Sequence, residues 1–149
     1  YEESMRIPFL IRWPGKIPVR KDDLLFSVPD VYPTLLSLMG FGRDIPEKVE
    51  GTDYSRLFRT GKGQRPTSQL YLKIGYVPRD QGSRGVRTHR YTLRIEKQED
   101  GTEQRYLHDN QADSWQLKNI AAERPKLVRQ LIEKELQPWL SKTKDPWKP

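Results

Sequence analysis

The run Ile7-Pro8-Phe9-Leu10-Ile11, closed by Pro14-Gly15, constrains this chain more than any other feature. It is apolar at successive positions, not alternate ones, so it reads as a strand covered on both faces, as in a parallel sheet. Pro14-Gly15 is a turn signal that ends it. A strand of this kind needs hydrogen-bonded neighbours on both sides, and the six residues ahead of it supply none. The chain is therefore expected to be the C-terminal part of a larger polypeptide.

Its 149 residues suffice for one ordinary domain or for pieces of two. With 34% hydrophobic and 32% charged residues and a mean hydropathy of -0.88, any core is modest. The absence of cysteine excludes disulfides, thiolate metal sites and a cysteine nucleophile. No apolar run approaches the ~20 residues of a membrane-spanning helix, so no span is expected. The net charge of +7 is unevenly spread: Arg56 to Arg94 holds ten Lys and Arg against one acid, Asp80, whereas Ile95 to Arg124 holds seven acids against four bases. Such a basic block suits a polyanion (nucleic acid, membrane surface or acidic glycan) or is simply a solvated basic face.

Ser27-Val28-Pro29-Asp30 starts a helix, with Ser27 as N-cap, Asp30 placed as in a capping box and Pro29 in the tolerated first turn. Val31, Leu35, Leu38 and Met39 form an apolar stripe, and Gly40 is a natural stop. Pro33 is expected to kink this helix or shift its start. Residues 41–68 are turn-rich, with a short helical turn near Tyr54–Phe58. Gln69 to Tyr76 reads as a strand. Val86–Thr88 and Tyr91–Ile95 read as a second one interrupted by His89-Arg90. Glu99-Asp100-Gly101-Thr102 is a turn, and Glu103–Leu107 is its hairpin partner. Leu127, Val128, Leu131, Ile132, Leu136, Trp139 and Leu140 recur at helical spacing from Pro125, with Pro138 expected to bend or end that helix. The tail from Ser141 is polar and expected to fray.

Three stretches together resemble the sulfatase family of the alkaline-phosphatase-like superfamily. Tyr1 to Gly15 is similar to the family strand that follows an active-site lysine. Ser27 to Gly40, with Asp30, Pro33-Thr34-Leu35-Leu36 and the closing glycine, resembles a family helix, followed by Val49-Glu50-Gly51. Gly85-Val86-Arg87-Thr88 with Tyr91, and then Leu107 to Ala121, is similar to the family's C-terminal pattern. Asp109, Asp113, Asn119 and Ala121 match that pattern, whereas His108, Asn110, Ser114 and Gln116 depart from it.

The resemblance implies an α/β fold, α+β for this segment. Residues 1–60 would end the large α/β domain. Residues 65–149 would form a small subdomain of about four antiparallel strands packed by a C-terminal helix. It also implies an activity, hydrolysis of sulfate esters, and this needs a nucleophile, a cation and a proton donor. The family nucleophile is a formylglycine made in a Cys/Ser-x-Pro-x-Arg motif. Ser27 to Val31 is the only near match, lacks the Arg, and is better explained as a helix cap. Asp22-Asp23, Asp44 and Asp109-Asn110 do not have a spacing that converges on a metal, and Asp109-Asn110 reads as an Asx-type turn. Formylglycine and a divalent cation, Ca or Mg, are accordingly expected in the preceding N-terminal part, and this chain alone is expected to be inactive.

As the resemblance implies, the subdomain covers one side of the substrate cleft, with Arg79, Arg84, Arg87 and His89 as the candidate contacts to anionic oxygens. The implied substrate is a sulfated carbohydrate, the implied partner the N-terminal part of the same sulfatase, and a periplasmic or secreted location is favoured. His108 reads as structural, and the tryptophans as packing residues, with Trp147 in the tail as the exception. A different class of reading is a basic nucleic-acid-binding module using Tyr71, Tyr76 and Tyr91 as stacking platforms. No recognised nucleic-acid motif supports it. A sulfated-glycan-binding module without chemistry is the other alternative.

Overall fold

The computed structural model describes residues 5–73, 80–98 and 100–149. They divide into two compact units, Pro8–Pro66 and Thr67–Pro149, the second including the lead-in before Pro8.

In the first unit, helix α1 spans Val28–Met39 and helix α2 spans Ser55–Thr60, with a single 3-10 turn at Gly42–Asp44 between them. The start of α1 is as expected. One carboxylate oxygen of Asp30 accepts the Ser27 amide at 2.9 Å and the Ser27 hydroxyl at 2.7 Å. The other accepts the Thr52 amide at 2.7 Å, so a buried acid ties the helix to the chain that returns past it. Gly40, at φ 95°, and Phe41 donate back to the Ser37 and Leu36 carbonyls and close the C-terminus as a Schellman motif. Pro33 does not break α1. It has no N–H for the Pro29 carbonyl, and the chain packs against that carbonyl at Gly51, where any Cβ would overlap it. Leu38, Tyr54, Leu57 and Phe58 form the core, with Phe26 and Leu35 against it.

The expected strand at 7–11 carries no ladder. Phe9 leans on the rings of Phe26 and Phe58, at centroid distances of 4.9 and 6.1 Å, while Leu10 is 96% exposed. An apolar run becomes a strand only when a partner takes its backbone groups, and the unit Pro8–Pro66 contains no strand to do so.

This unit also holds an acid-sensitive tie. Arg65 donates to both oxygens of Asp22, at 2.9 and 3.1 Å, while Arg20 and the Leu24 amide add a bond each. The Arg65 bonds foremost, against burial that works the other way, hold the Asp22 carboxyl at about 2. A carboxyl whose folded pKa is depressed contributes stability above its unfolded pKa of 3.8 and loses it as pH falls towards 2. Melting temperature is therefore expected to fall between about pH 4 and pH 2, and Asp22→Asn to flatten that part of the profile while lowering stability at pH 7.

The second unit is an antiparallel meander, β1 (Ser68–Lys73), β2 (Gly82–Thr88), β3 (Tyr91–Lys97) and β4 (Glu103–Asp109), paired in that order. The segment read as one interrupted strand is a hairpin that turns at His89-Arg90. Thr88 Oγ accepts the Tyr91 amide and donates to the Tyr91 carbonyl, which closes the turn without glycine or asparagine. Leu70, Val86, Leu93 and Leu107 lie in register on one face and meet Val128, Leu131, Leu136 and Leu140. In the middle of the sheet Gly85 faces Arg94, and a Cβ there would overlap the Leu93 carbonyl.

Helix α3 (Pro125–Leu131) runs through a π-helical stretch, Ile132–Leu136, into helix α4 (Gln137–Lys142). Pro138 thus neither ends nor splits the rod. The Gln137 amide reaches back five residues to the Ile132 carbonyl, and this wider turn absorbs the proline that follows. The tail does not fray. Trp147 is 1% exposed and packs in the core beneath Lys97, whose ammonium lies 4.9 Å from its ring.

Candidate functional site

Arg84 and Arg87 sit three residues apart on β2 and so face opposite sides of the sheet. The Arg84 side chain enters the core side and is 2% exposed. Its Nε donates to Asp145 at 2.7 Å, its Nη2 to the other Asp145 oxygen at 3.3 Å, and its Nη1 to the Gln81 and Ser83 carbonyls. That guanidinium serves the fold. Arg87 is half-buried on the other face and donates to the Thr88 carbonyl at 3.1 Å. His89 is exposed at the tip of the β2–β3 turn. Arg79 lies outside the described residues.

Sequence reasoning missed Arg90 and what holds it. Its guanidinium donates twice to one oxygen of Asp109, at 3.1 and 3.0 Å, and lies over the Tyr91 ring. Its carbonyl accepts the Asn110 amide at 2.6 Å. The other Asp109 oxygen accepts the Gln111 and Ala112 amides, which makes the expected Asx-type turn. The Arg90 bonds chiefly, with the two amides assisting, hold the Asp109 carboxyl below its usual range.

The departures from the family pattern also interlock. Asn110 Oδ1 accepts from Thr92 and from Gln116, each at 3.0 Å. Gln116 is buried with φ 54°, a left-handed conformation that its side-chain bond sustains. His108 Nδ1 donates to the Lys118 carbonyl at 3.1 Å, and burial pushes its pKa down. The matching residues are pins. Asn119 accepts the Leu107 and Ala121 amides and donates to the Arg105 carbonyl, covering part of the open edge of β4. Asp113 accepts the Lys118 amide at 2.7 Å.

One end of the sheet therefore presents Arg87, His89 and Arg90 on a hairpin stitched to the 109–118 loop. That loop displays Trp115, which is 66% exposed and not the packing residue its sequence suggests. The inward Gln116 turns its neighbours, Trp115 and Leu117, outward.

Metal ligation finds no support in the carboxylates. Asp22 and Asp23 are bonded to Arg65 and Asp109 to Arg90, and among the described residues no three acids or histidines converge. The tyrosine platform of the nucleic-acid reading is also divided: Tyr91 packs on the helical core, Tyr71 stands on the opposite face, and Tyr76 lies outside the described residues. No helix among the described residues is long and apolar enough to cross a membrane.

A fold of this kind, an antiparallel sheet under a C-terminal helix with a hairpin and an Asx-pinned loop at one end, is that of a sulfatase C-terminal region. The family model for N-sulphoglucosamine sulphohydrolase, C-terminal, matches residues 1–145, and the chain belongs to the sulfatase family. It is similar to an endo-4-O-sulfatase of Bacteroides thetaiotaomicron, 38% identical over 99% of this chain and 32% of that protein. An ulvan-active sulfatase of Formosa agariphila is 31% identical over 80% of this chain and 23% of that protein. A sulfatase structure from B. thetaiotaomicron, solved in a study of glycosaminoglycan metabolism, superposes with a TM-score of 0.83 at 36% identity. That match covers 91% of this chain and 31% of the other. The chain thus spans about a third of the length of the first of these relatives.

Proposed function

We propose that the chain is the substrate-side, C-terminal portion of a sulfatase that hydrolyses sulfate esters of a carbohydrate. The observation that carries this reading is the pinned hairpin end bearing Arg87, His89 and Arg90, in a chain whose relatives include an endo-4-O-sulfatase and an ulvan-active sulfatase. Residues 1–60 complete a large α/β domain and residues 65–149 form the small subdomain; the boundary between two compact units at Pro66 supports the second limit, while residues 1–7 group with the later unit.

The chain's own contribution is binding. A sulfated glycan is a polyanion with many hydroxyls. Guanidinium groups take sulfate oxygens with paired N–H donors, and an imidazole bonds hydroxyls in either protonation state. We assign recognition to Arg87 and His89, with Arg79 a further candidate, while the Asp109 bonds fix the Arg90 side chain beside them. The exposed Trp115 ring, on the loop bonded to Arg90, offers a face against which a sugar can lie. Formylglycine and a divalent cation are assigned to the preceding portion; the carboxylates Asp22, Asp23 and Asp109 of this chain are bonded to arginines.

In the full-length enzyme, Arg87→Ala with His89→Ala is expected to raise KM for a sulfated oligosaccharide about tenfold, or ~1.4 kcal/mol, with kcat within about twofold. Turnover of a small aryl sulfate, which has no sugar for the hairpin to contact, should be unchanged. An unaltered oligosaccharide KM, or equal losses on both substrates, would overturn the assignment.

A further inference from the structure

Towards the end of the sheet opposite the His89-Arg90 hairpin, the edge strand β4, the 119–122 segment and helix α3 bound a groove of about 570 Å³, within the size range of ligand pockets. Pro125, Val128 and Ile132 give it an apolar lining, and Arg105 and Arg129 line it from the strand and from the helix. Gln137 lines it from the start of α4. Ile132 and Gln137 are the two residues bonded across the π-helical stretch, and single wide turns of this kind are frequent at functional sites.

The groove carries surplus positive charge. Glu103, the one acid lining it among the described residues, accepts from Arg105 Nη2 at 3.0 Å and lies 3.8 Å from Lys97 Nζ. The Arg105 side chain is still 47% exposed, and Arg129 is exposed and makes no ion pair among the described residues. Two guanidiniums and a primary amide around an apolar lining suit a ligand that combines anionic groups, hydroxyls and C–H faces.

We infer that this groove is a second binding site for a sulfated glycan chain, separate from the hairpin end. Arg105 and Arg129 take its anionic oxygens, and the apolar lining takes the C–H face of a sugar ring. The inference rests on the reading of the substrate as a sulfated carbohydrate. Two observations favour a glycan over an acidic peptide. Arg105 and Asp109 fall on the same face of β4, about 14 Å apart at ~3.4 Å per residue, and Asp109 holds Arg90 at the hairpin end. A short run of sugar units spans that interval, so one polyanion can engage both places and gain avidity. A peptide added to the edge of β4 would instead meet backbone groups already taken. Asn119 occupies the Leu107 amide and the Arg105 carbonyl, and the Ile120 amide occupies the Leu107 carbonyl.

Binding of the full-length enzyme to dextran sulfate tests it. Arg105→Ala with Arg129→Ala is expected to weaken binding about tenfold, since two charge-assisted contacts are lost. Ala122→Trp fills the groove without altering its charge and should weaken binding by about threefold or more. Lys62→Ala with Lys134→Ala removes the same charge elsewhere and should change binding by less than about twofold. Turnover of a small aryl sulfate should be unaffected in all of them. Equal losses for the arginine and lysine pairs would reduce the effect to net charge and overturn the inference, as would full binding by Ala122→Trp. Binding weakened by Arg87→Ala with His89→Ala but by no groove variant would remove this site alone. Binding unchanged by both sets would count against the sulfated-carbohydrate reading as well.

Discussion

Replacing Asp145 by Ala is expected to cost the C-terminal unit ~3–5 kcal/mol, because it strands a charged guanidinium in the core. The Arg84 side chain is 2% and Asp145 10% exposed, and both carboxylate oxygens face the guanidinium. A domain stability is typically ~5–15 kcal/mol, so the loss approaches unfolding at ambient temperature. Urea denaturation followed by far-UV circular dichroism reads it directly. Adding Arg84→Met should recover much of the loss, since an apolar pair often replaces a buried ion pair without penalty. The shortfall should be ~1 kcal/mol, reflecting the Trp147 amide that Asp145 also accepts at 2.9 Å. A single Asp145→Ala variant as stable as the parent would show that the pair is solvated and the tail loose.

Trp147→Ala is expected to cost a similar ~3–5 kcal/mol, as a fully buried large side chain leaves a cavity beneath Lys97. The indole Nε1 finds no acceptor among the described residues, so the ring contributes by packing and by its face towards the ammonium. Trp147→Phe should therefore retain most of the stability, within about 1.5 kcal/mol. Equal losses for Ala and Phe would assign the indole N–H a partner that the geometry does not show. Truncation after Lys144 should do at least as much damage as either substitution, because it removes both anchors.

These two anchors were illegible in the sequence for a definite reason. Residues 141–149 are mostly polar, and local pattern says nothing about where a distant Arg84 comes to rest. The pairing spans 61 positions and exists only once β2 lies beneath the rod formed by α3 and α4. Trp115 failed in the opposite direction. Tryptophan is usually packed, yet here a neighbouring Gln116 takes the interior position through a bond to Asn110, and the ring is left outside. Local features fared better. The capping box at Ser27, the Gly40 stop, the turn before β4 and the apolar periodicity from Pro125 all rest on contacts within a few residues, and each appears where its pattern places it.

Of the candidate site, the sequence supplied the residue types and the family, while its reading could not tell Arg84 from Arg87. They are alike in sequence. The pleat sends them to opposite faces, one into the core against Asp145 and the other to the hairpin end with His89. The sequence by itself determined the helices, most strand positions of the C-terminal sheet and membership of the sulfatase family, because these depend on short-range periodicity and on matched motifs; it did not determine the fate of residues 7–11 or the hairpin at His89-Arg90. Only the tertiary structure decided which cations are spent on the fold and that the tail is a clasp. Those outcomes depend on which surfaces the folded chain brings together and which it leaves exposed.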